Sequence, residues 1–369
     1  MKVAIVHDWL VVNGGAEKVL RSLIDVFDGD VFALIDVLNA TDRGSILKGG
    51  RAGTTFLQRL PGIRRHYRYF LPLFPTAIES LDLSAYDLVI SSSYAVAKGV
   101  RTRSGQTHIC YIHTPMRYAW DLEETYLQDH GMGSGIKRWV AKQLLDRLRS
   151  WDLGTNKGVD HFIANSRNVA ARVKKHYGRH ADVLLPPVDT EQFALYEGPR
   201  DHFVTVSRLV PYKRVDRMID AFRQMPEETL LVCGDGPERE RLSQDLPSNV
   251  VILGHVPQDE LVDHLQRAHA LIAAAEEDLG ITPLESLSCG TPVIALAKGG
   301  YLETVTDGRT GVLFKEPTVE ALVGAVQRFR AGRDAFVPEQ LRASALPYDK
   351  RRFAEQVKHI VDRIHGAQN

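Results

Sequence analysis

The sequence predicts an α/β protein built from two domains, each with a largely parallel sheet. The chain has 369 residues, 44% of them hydrophobic, and is longer than most single domains. Short apolar runs alternate with amphipathic helical patterns, which is typical of parallel α/β sheets. The alternation stops at Pro186-Pro187 and then starts again. Because proline disfavours both helices and central strands, a linker is predicted at about 186–200.

Six apolar runs in the first half are interpreted as buried strands. The first helix is predicted at Ala16–Phe27, where Val19, Leu20, Leu23 and Ile24 share one face. A second strong helical pattern covers Lys137–Leu153. The predicted strands are Val3–Val6, Val31–Ile35, Leu88–Ser91, His108–Ile112, Phe162–Ala164 and Val183–Leu185.

The second half repeats this alternation more regularly. A last helical pattern near Lys350–His365 follows Pro347 and has no strand after it, so we expect it to pack back on the first domain. The predicted domains are therefore 1–188, joined by the helix at 350–369, and 189–349. The predicted strands are Phe203–Val206, Leu230–Cys233, Val250–Leu253, Leu271–Ala274, Val293–Leu296 and Val312–Phe314, and the helices are Val215–Gln224, Gln258–Ala268, Ile281–Ser288 and Val319–Phe329.

Charge is balanced overall but unevenly distributed. The chain has 46 basic and 46 acidic residues, which does not favour a nucleic-acid-binding protein. Residues 1–180 carry 25 basic and 17 acidic side chains, a net of +8, and residues 181–369 carry 21 and 29, a net of −8. The first half is therefore predicted to contact something anionic, the alternative being unequal solvated faces.

The cysteines and the N-terminus bear on the compartment. Cys110, Cys233 and Cys289 lack metal-ligand spacing and fit a reducing cytoplasm better than a disulfide framework. No signal-peptide pattern precedes Val3, and no run of 18 apolar residues occurs in the chain. We expect a cytoplasmic protein whose membrane contact, if any, is peripheral.

Glu277 and Glu285 frame the most informative motif. Glu277 follows a predicted strand, at the edge where open α/β sheets bind ligands, and Glu285 lies one turn into the next helix. Gly280 permits close backbone approach, and Ile281 and Thr282 supply the free N–H groups of the helix start. Two carboxylates at this spacing suit a polyol rather than a metal ion. The alternative is that they only place negative charge near a helix N-terminus.

Two cations follow the first strand of the second domain. Arg208 and Lys213 lie on a predicted strand-to-helix turn, where they can hold a diphosphate. A solvated basic loop is the alternative. Gly234 and Val256 lie on the two neighbouring turns, and either turn can contribute backbone contacts to a ligand or serve only as a turn.

The first domain offers two further candidates. Gly14 and Gly15 lie between the first strand and first helix, where backbone can approach an anion, although any such turn favours glycine. His113 lies where a strand ends, beside Arg117 and aromatic residues. It is either a functional or a structural histidine. Asp28-Gly29-Asp30 matches the metal-binding DxD pattern but falls at the amino edge of the sheet, so we interpret it as a turn.

A carboxylate-free segment, from Arg43 to Ile78, combines six cations between Lys48 and Arg68 with aromatic residues. We expect it to contact an anionic membrane, with cations at the headgroups. The apolar side chains expected to enter the interface are Phe70, Leu71, Leu73 and Phe74, with Tyr67 and Tyr69 at headgroup depth. The alternative is that these aromatics fill the first domain's core.

Taken together, the motifs resemble the retaining glycosyltransferases of family 4, in order along nearly the whole chain. The resemblance implies the GT-B fold, in which two Rossmann-like domains face each other across a cleft. Glu277 and Glu285 match the family's E-x7-E motif, and the segment from Tyr111 to Asp121 is similar to bacterial mannosyltransferases of O-antigen and exopolysaccharide assembly. The first domain would then take the acceptor and the second the donor.

The resemblance also implies roles for single residues. Glu277 would contact the transferred sugar, Glu285 the ribose, and His113 the sugar's O6. Arg208 and Lys213 would bind the diphosphate. The remaining donor contacts would come from Gly14, Gly15, Gly234, Val256, Gly280, Ile281 and Thr282.

The expected function is transfer of a hexose, with mannose from GDP-mannose as the leading donor, to a lipid-linked oligosaccharide in surface polysaccharide synthesis. No nucleophile is evident for the β-face, which favours a front-face path without a metal ion or other cofactor. A UDP-sugar donor is the alternative within the class. A sugar-nucleotide epimerase and a non-catalytic nucleotide-sugar-binding protein are the alternatives outside it.

Overall fold

The computed structural model describes residues 1–129 and 132–368 and divides into two compact units. Unit 1 comprises Met1–Pro187 and Phe353–Asn369, and unit 2 comprises Val188–Arg352. The boundary suggested by the sequence, after residue 188, differs by one residue from this division. Asn369, included in the helix expected at 350–369, lies outside the described residues.

Unit 1 is built on a seven-stranded sheet of order β3-β2-β1-β4-β5-β6-β7, in which all pairs are parallel. Its strands are β1 (Val3–His7), β2 (Asp30–Ala33), β3 (Gly53–Thr54), β4 (Leu88–Ser93), β5 (Thr107–Ile112), β6 (His161–Ala164) and β7 (Ala181–Val183). Its helices are α1 (Gly15–Phe27), α2 (Ala40–Leu47), α3 (Ile63–His66), α4 (Phe74–Glu79), α5 (Glu123–Asp129), α6 (Gly135–Thr155), α7 (Arg167–Tyr177) and, across the boundary with unit 2, α15 (Lys350–Gln368).

Both faces of this sheet are buried, because successive side chains of a strand point to opposite faces. Ala4 and Val6 pack into one hydrophobic cluster with Phe74 and Leu145. Val3 and Ile5 pack into another with helix α1 and with Phe353, Val357 and Val361 of α15. The C-terminal helix therefore completes the core of unit 1.

Unit 2 is built on a six-stranded parallel sheet of order β10-β9-β8-β11-β12-β13. Its strands are β8 (His202–Val206), β9 (Leu230–Cys233), β10 (Val250–Gly254), β11 (Ala268–Ala273), β12 (Val293–Leu296) and β13 (Gly311–Phe314). Its helices are α8 (Val215–Arg223), α9 (Arg239–Leu242), α10 (Gln258–Arg267), α11 (Ile281–Ser288), α12 (Tyr301–Thr304), α13 (Val319–Ala331) and α14 (Pro338–Ala345).

The structure corrects part of the expected membrane segment. Between Phe56 and Glu79 the chain forms short helical turns on the unit 1 core, and Leu71 and Phe74 are 9% and 3% exposed. They belong to the hydrophobic cluster, so the expectation that they enter a membrane is wrong. Tyr69 and Leu73 are exposed, whereas Phe70 and Tyr67 pack partly against the core.

No helix in the described ranges is both long enough and apolar enough to cross a lipid bilayer.

Candidate functional site

The strand order reverses direction once in each sheet, and several of the predicted site residues lie on the loops beside these points. In unit 2, β8 and β11 are neighbours, while β9 and β12 lie on opposite sides of them. The loops that leave β8 and β11 at their carboxyl ends therefore flank a topological switch point, where open α/β sheets bind ligands. Lys213 lies after β8 and Glu277 after β11.

Lys213 and Glu277 form an ion pair at this edge. The Lys213 Nζ donates to Glu277 Oε1, and the two side chains are 21% and 18% exposed. Burial alone would lower the pKa of Lys213, but the attraction of Glu277, with help from Tyr212 and Asp278, raises it above its ordinary value. Lys213 therefore stays protonated at neutral pH, as binding a diphosphate requires.

The start of α11 presents free backbone donors beside this pair. Gly280, the residue before the helix, has φ 82° and ψ 98°, and its side-chain-free position leaves the helix start uncapped. Within the described chain, no group accepts from the N–H of Ile281 or Thr282. Glu285 follows one turn later and is 3% exposed. Such a helix start suits the oxygen atoms of a phosphate or a sugar.

A glycine pair holds the Glu277 loop in place. The Gly300 N–H donates to the Glu277 carbonyl at 2.9 Å, and Gly299 pairs with Glu277 as an isolated parallel bridge. A Cβ on Gly299 would lie 2.2 Å from the Glu277 oxygen, and one on Gly300 would lie 2.1 Å from the Leu279 Cα. Only glycines allow this approach, which explains why two of them follow one another after β12.

The other unit 2 candidates, Arg208, Gly234 and Val256, differ in their exposure and in the contacts they make within the protein. The Arg208 side chain is exposed and makes no ion pair or hydrogen bond in the part of the chain that the structure describes. Gly234 instead packs closely against backbone, since its N–H donates to the Gly254 carbonyl at 2.7 Å and a Cβ there would lie 1.9 Å from the Ser207 oxygen. Val256 is half-buried on the turn after β10. Ligand contacts by Gly234 and Val256 stay predictions.

In unit 1, Gly14 and Gly15 open helix α1 after β1. The Gly14 N–H donates to Glu17 Oε2 at 2.9 Å. The N–H groups of Gly15 and Ala16 meet no acceptor among the described residues, so they remain the donors at this helix start.

His113 follows β5 and is almost fully buried, at 9% exposure. Its backbone N–H donates to the Ser93 carbonyl, and its Nε2 lies 2.9 Å from Ser92 Oγ. Burial, with a smaller effect of His7, lowers the pKa of His113 to about 3. The ring is therefore neutral at neutral pH, and it acts as a hydrogen-bonding group rather than as a cation.

The sequence analysis missed three buried residues connected to these candidates: His7, Glu17 and Ser92. His7 ends β1, and its two ring nitrogens contact Glu17 and Ser92 at 3.3 and 3.1 Å. The available signal was a polar His at the end of an otherwise apolar strand. Glu17 looked like an ordinary first-turn carboxylate, so no pattern in the sequence linked it to His113.

Asp28 and Asp30 have structural partners, in keeping with the interpretation of Asp28-Gly29-Asp30 as a turn. Asp28 ends α1 in the left-handed region, at φ 47°. Asp30 begins β2, at the amino end of the strand, and accepts a hydrogen bond from the Tyr86 hydroxyl at 2.8 Å.

Comparisons with known proteins agree with this geometry. The model of glycosyltransferase family 4 matches residues 13–192, and that of glycosyl transferases group 1 matches residues 188–342. A GDP-mannose-dependent alpha-(1-6)-phosphatidylinositol monomannoside mannosyltransferase from Mycolicibacterium smegmatis is 34% identical over 218 residues, 51% of this chain and 55% of the relative. The chain spans about half the length of the curated relatives it matches.

Solved structures share the fold at low sequence identity. A sucrose-phosphate synthase from Thermosynechococcus elongatus has a TM-score of 0.77 at 18% identity, over 100% of both chains. A protein from Anabaena, solved in complex with UDP, has a TM-score of 0.71 at 18% identity, over 98% of this chain and 100% of the other. The chain thus has the GT-B fold, with two Rossmann-like α/β domains, and it belongs to the family 4 glycosyltransferases.

Proposed function

We propose that this protein is a retaining hexosyltransferase that transfers mannose from GDP-mannose to a lipid-linked oligosaccharide. The observation that carries the proposal is the unit 2 switch point, where Lys213 and Glu277 lie beside the uncapped start of α11. A diphosphate needs cations and N–H donors, and a hexose needs hydrogen-bond acceptors. This edge supplies both kinds of group.

The Lys213–Glu277 pair supports an exchange of partners on donor binding. A diphosphate oxygen would replace Glu277 as the partner of Lys213, and Arg208 would contribute a second cation. The Glu277 carboxylate would then accept hydrogen bonds from the sugar hydroxyls. The cations would stabilise the negative charge that develops on the departing diphosphate, which is the interaction most useful for the reaction rate.

Retention follows if the acceptor attacks from the face that the diphosphate leaves. A phosphate oxygen of the donor would take the proton of the acceptor hydroxyl, so no protein base is required. Glu277, with Lys213 as its present partner, would serve the sugar rather than act as a nucleophile. We further propose that no metal ion takes part, because Arg208, Lys213 and the α11 amides supply the positive charge.

A donor screen tests the proposal. Purified protein would be offered GDP-mannose, GDP-fucose, UDP-glucose, UDP-galactose and UDP-N-acetylglucosamine, and binding and sugar release would be measured. We expect the tightest binding and the fastest release with GDP-mannose, as the names of several relatives suggest. Preference for a UDP-sugar would favour the alternative donor, and conversion of a donor to its epimer without an acceptor would favour the epimerase.

For the acceptor side we propose peripheral contact of unit 1 with the anionic inner face of the cytoplasmic membrane. Arg64, Arg65 and Arg68 are exposed on the turns between residues 63 and 73, next to the exposed side chain of Tyr69. No carboxylate pairs with Arg64 or Arg65 in the described ranges. Each cation near an anionic leaflet contributes about 1 kcal/mol.

Helix α6 presents an exposed apolar surface that the sequence analysis did not connect with the membrane. Ile136, Trp139 and Val140 are 81%, 65% and 53% exposed, and their spacing puts them on one helix face. The exposed Lys137 and Lys142 flank that face. Helix α6 and the 63–73 turns pack on the same hydrophobic cluster of unit 1. An apolar stripe between cations is typical of an interfacial helix.

Liposome flotation tests the membrane proposal. Binding should rise with the anionic lipid content and fall with salt. The triple variant Arg64→Glu, Arg65→Glu, Arg68→Glu and the single variant Trp139→Ser should both float less. Matched controls are Arg309→Glu, Lys315→Glu, Arg352→Glu and Leu346→Ser, which change exposed positions of unit 2. Wild-type protein that remains entirely in the soluble fraction at low salt would contradict the proposal.

A further inference from the structure

The switch point of the unit 1 sheet lies between β1 and β4, and two aromatic residues lie beside it. β2 and β5 are on opposite sides of this strand pair, so the loops after β1 and β4 flank the place where open α/β sheets bind ligands. Trp9 lies two residues after β1, and Tyr94 follows β4 directly. Their ring centroids are 5.0 Å apart at an interplanar angle of 87°, and both side chains are half-buried.

Trp9 differs from two other half-buried tryptophans in its indole N–H. Trp120 Nε1 donates to Asp152 Oδ2 at 2.8 Å, and Trp151 Nε1 donates to Glu79 Oε1 at 2.6 Å. Within the described part of the chain, no group accepts a hydrogen bond from Trp9 Nε1. A buried tryptophan N–H usually has a partner. The Trp9 N–H is therefore available to a ligand at the switch point.

Asp8 fixes the loop that carries Tyr94. Its carboxylate is fully buried and accepts the four consecutive backbone N–H groups of residues 94–97, at 2.6 to 3.0 Å. These donors offset the cost of burying the carboxylate. Because Asp8 and Trp9 are adjacent, the four hydrogen bonds also tie the β4 loop to the β1 loop. The two aromatic rings are therefore held together before any ligand binds.

The aromatic contacts continue from this pair in both directions. On one side, the Tyr67 ring lies 5.5 Å from the Trp9 ring, and Tyr67 belongs to the turns at 63–73 that we propose to contact the membrane. On the other side, the Tyr94 ring lies 6.1 Å from the His113 ring. The rings thus connect the proposed membrane surface with the histidine proposed to bind the transferred sugar. A lipid-linked acceptor has to span this same interval.

We propose that Trp9 and Tyr94 form a subsite for a pyranose ring of the acceptor. A pyranose has apolar C–H faces and hydroxyl groups around its rim, so it suits half-buried aromatic rings with a hydrogen-bond donor beside them. The sugar packs against the two rings, and one of its hydroxyl oxygens accepts from Trp9 Nε1. The assignment to the acceptor rests on the proposed function, whereas binding of a pyranose at Trp9 can be measured without the donor.

Trp151 supplies a matched control in the same unit. Replacing Trp9 or Trp151, both half-buried, with phenylalanine removes an indole N–H. Trp151→Phe breaks the hydrogen bond to Glu79, whereas Trp9→Phe breaks no side-chain hydrogen bond among the described residues. Trp151→Phe should therefore lower the thermal midpoint more than Trp9→Phe does, and only Trp9→Phe should weaken sugar binding.

Indole N–H signals in ¹⁵N NMR test the subsite directly. The chain has four tryptophans, and the signals of Trp9 and Trp151 are identified by their loss in the two phenylalanine variants. The probes are methyl α-D-mannopyranoside, methyl α-D-glucopyranoside and methyl 2-acetamido-2-deoxy-α-D-glucopyranoside, added without nucleotide. At least one should shift the Trp9 signal and leave the Trp151 signal unchanged, whereas sorbitol, a polyol without a ring, should shift neither. No Trp9 shift with any glycoside, or an equal shift with sorbitol, would overturn the proposal.

Transfer kinetics test the assignment to the acceptor. The glycoside that shifts the Trp9 signal serves as acceptor, and GDP-mannose serves as donor. Trp9→Phe should raise the KM for the glycoside by about ten-fold, the scale of one hydrogen bond, and leave the KM for GDP-mannose unchanged. Trp9→Ala should raise the glycoside KM further, because the apolar ring surface is lost as well.

The kinetic and NMR outcomes separate this proposal from the proposed function. No transfer to the bound glycoside, an unchanged glycoside KM in Trp9→Phe, or a raised KM for GDP-mannose would overturn the assignment to the acceptor. If wild-type protein neither transfers mannose from GDP-mannose nor hydrolyses it, the proposed function fails. The NMR result still decides in that case whether Trp9 and Tyr94 bind a pyranose.

Discussion

The two switch points use different physical means to present groups at a sheet edge. In unit 2 the groups are charged and at least partly exposed, with Lys213 and Glu277 paired and the Arg208 side chain exposed. In unit 1 the polar side chains of His7, Ser92 and His113 are buried, and His113 is held by Ser92 and neutral because burial lowers its pKa to about 3. The comparison teaches that the charged edge suits phosphate and the buried edge suits a hydroxyl group.

Removing charge from the unit 2 edge should give the largest effect. Arg208→Ala or Lys213→Ala should lower transfer by roughly two to three orders of magnitude, the scale for losing a preorganised electrostatic donor. The comparison variant is Arg217→Ala, which removes a cation from α8 rather than from the loop after β8. Steady-state kinetics are the measurement. Near-wild-type turnover in the Arg208 or Lys213 variant would remove the diphosphate assignment from that residue.

Displacing the Glu277 loop should have the next largest effect on activity. Gly299 and Gly308 have similar positive φ angles of 60° and 72°, so alanine strains the backbone at both. Only at Gly299 would the new Cβ meet the Glu277 oxygen, at 2.2 Å, whereas Gly308 faces open space. Gly299→Ala should therefore lose about a hundred-fold more kcat than Gly308→Ala, because a small misplacement of a site group is costly. Equal losses would show that the loop position does not matter.

A smaller effect should separate the two glutamates. Glu285→Ala should weaken GDP binding by about ten-fold, the scale of one hydrogen bond to a charged group. Glu277→Ala should instead reduce turnover and leave GDP affinity nearly intact, because its proposed partner is the sugar. Calorimetry with GDP alone measures the difference. Because Glu285 is buried, Glu285→Gln serves as the size-matched variant. Equal loss of GDP affinity in both alanine variants would mean that the division of roles is wrong.

Removal of metal ions by a chelator should have the smallest effect on transfer activity. If the cations of unit 2 supply the charge that a metal would otherwise provide, transfer should persist in excess EDTA. Initial rates with and without EDTA are the measurement. Loss of activity with rescue by magnesium or manganese would break the comparison, because the charged edge would then need an ion that its own residues do not replace.

The sequence predicted the sheets well because parallel strands are continuous apolar runs. The predicted strand at Leu230–Cys233 and helix at Ile281–Ser288 have the bounds that the structure shows. The two-residue strand at Gly53–Thr54 was missed, since so short an edge strand carries no apolar periodicity. The helix at Ala40–Leu47 was missed because only its last residues, Ile46 and Leu47, are buried.

Site residues could be predicted only where charged side chains follow an apolar strand in the sequence. Arg208, Lys213 and Glu277 are charged residues after apolar strands, and the structure brings Lys213 and Glu277 into contact. The hydrogen bonds that connect Glu17, His7, Ser92 and His113 could not be predicted, because the bonded residues are ten to eighty-five positions apart and meet only in the folded unit. The aromatic segment failed for a related reason, since composition alone did not tell Phe74 in the core from Tyr69 in solvent.

Helix α15 has a consequence for the order in which the protein acquires its structure during synthesis. Unit 2 is continuous in sequence, but unit 1 needs Phe353, Val357 and Val361, which are translated after unit 2. As domains fold during synthesis, unit 2 can close its core while one face of the first-made sheet still waits for α15. Nascent chains that end before Phe353 should therefore expose Val3 and Ile5, and so depend on chaperones until α15 has been translated.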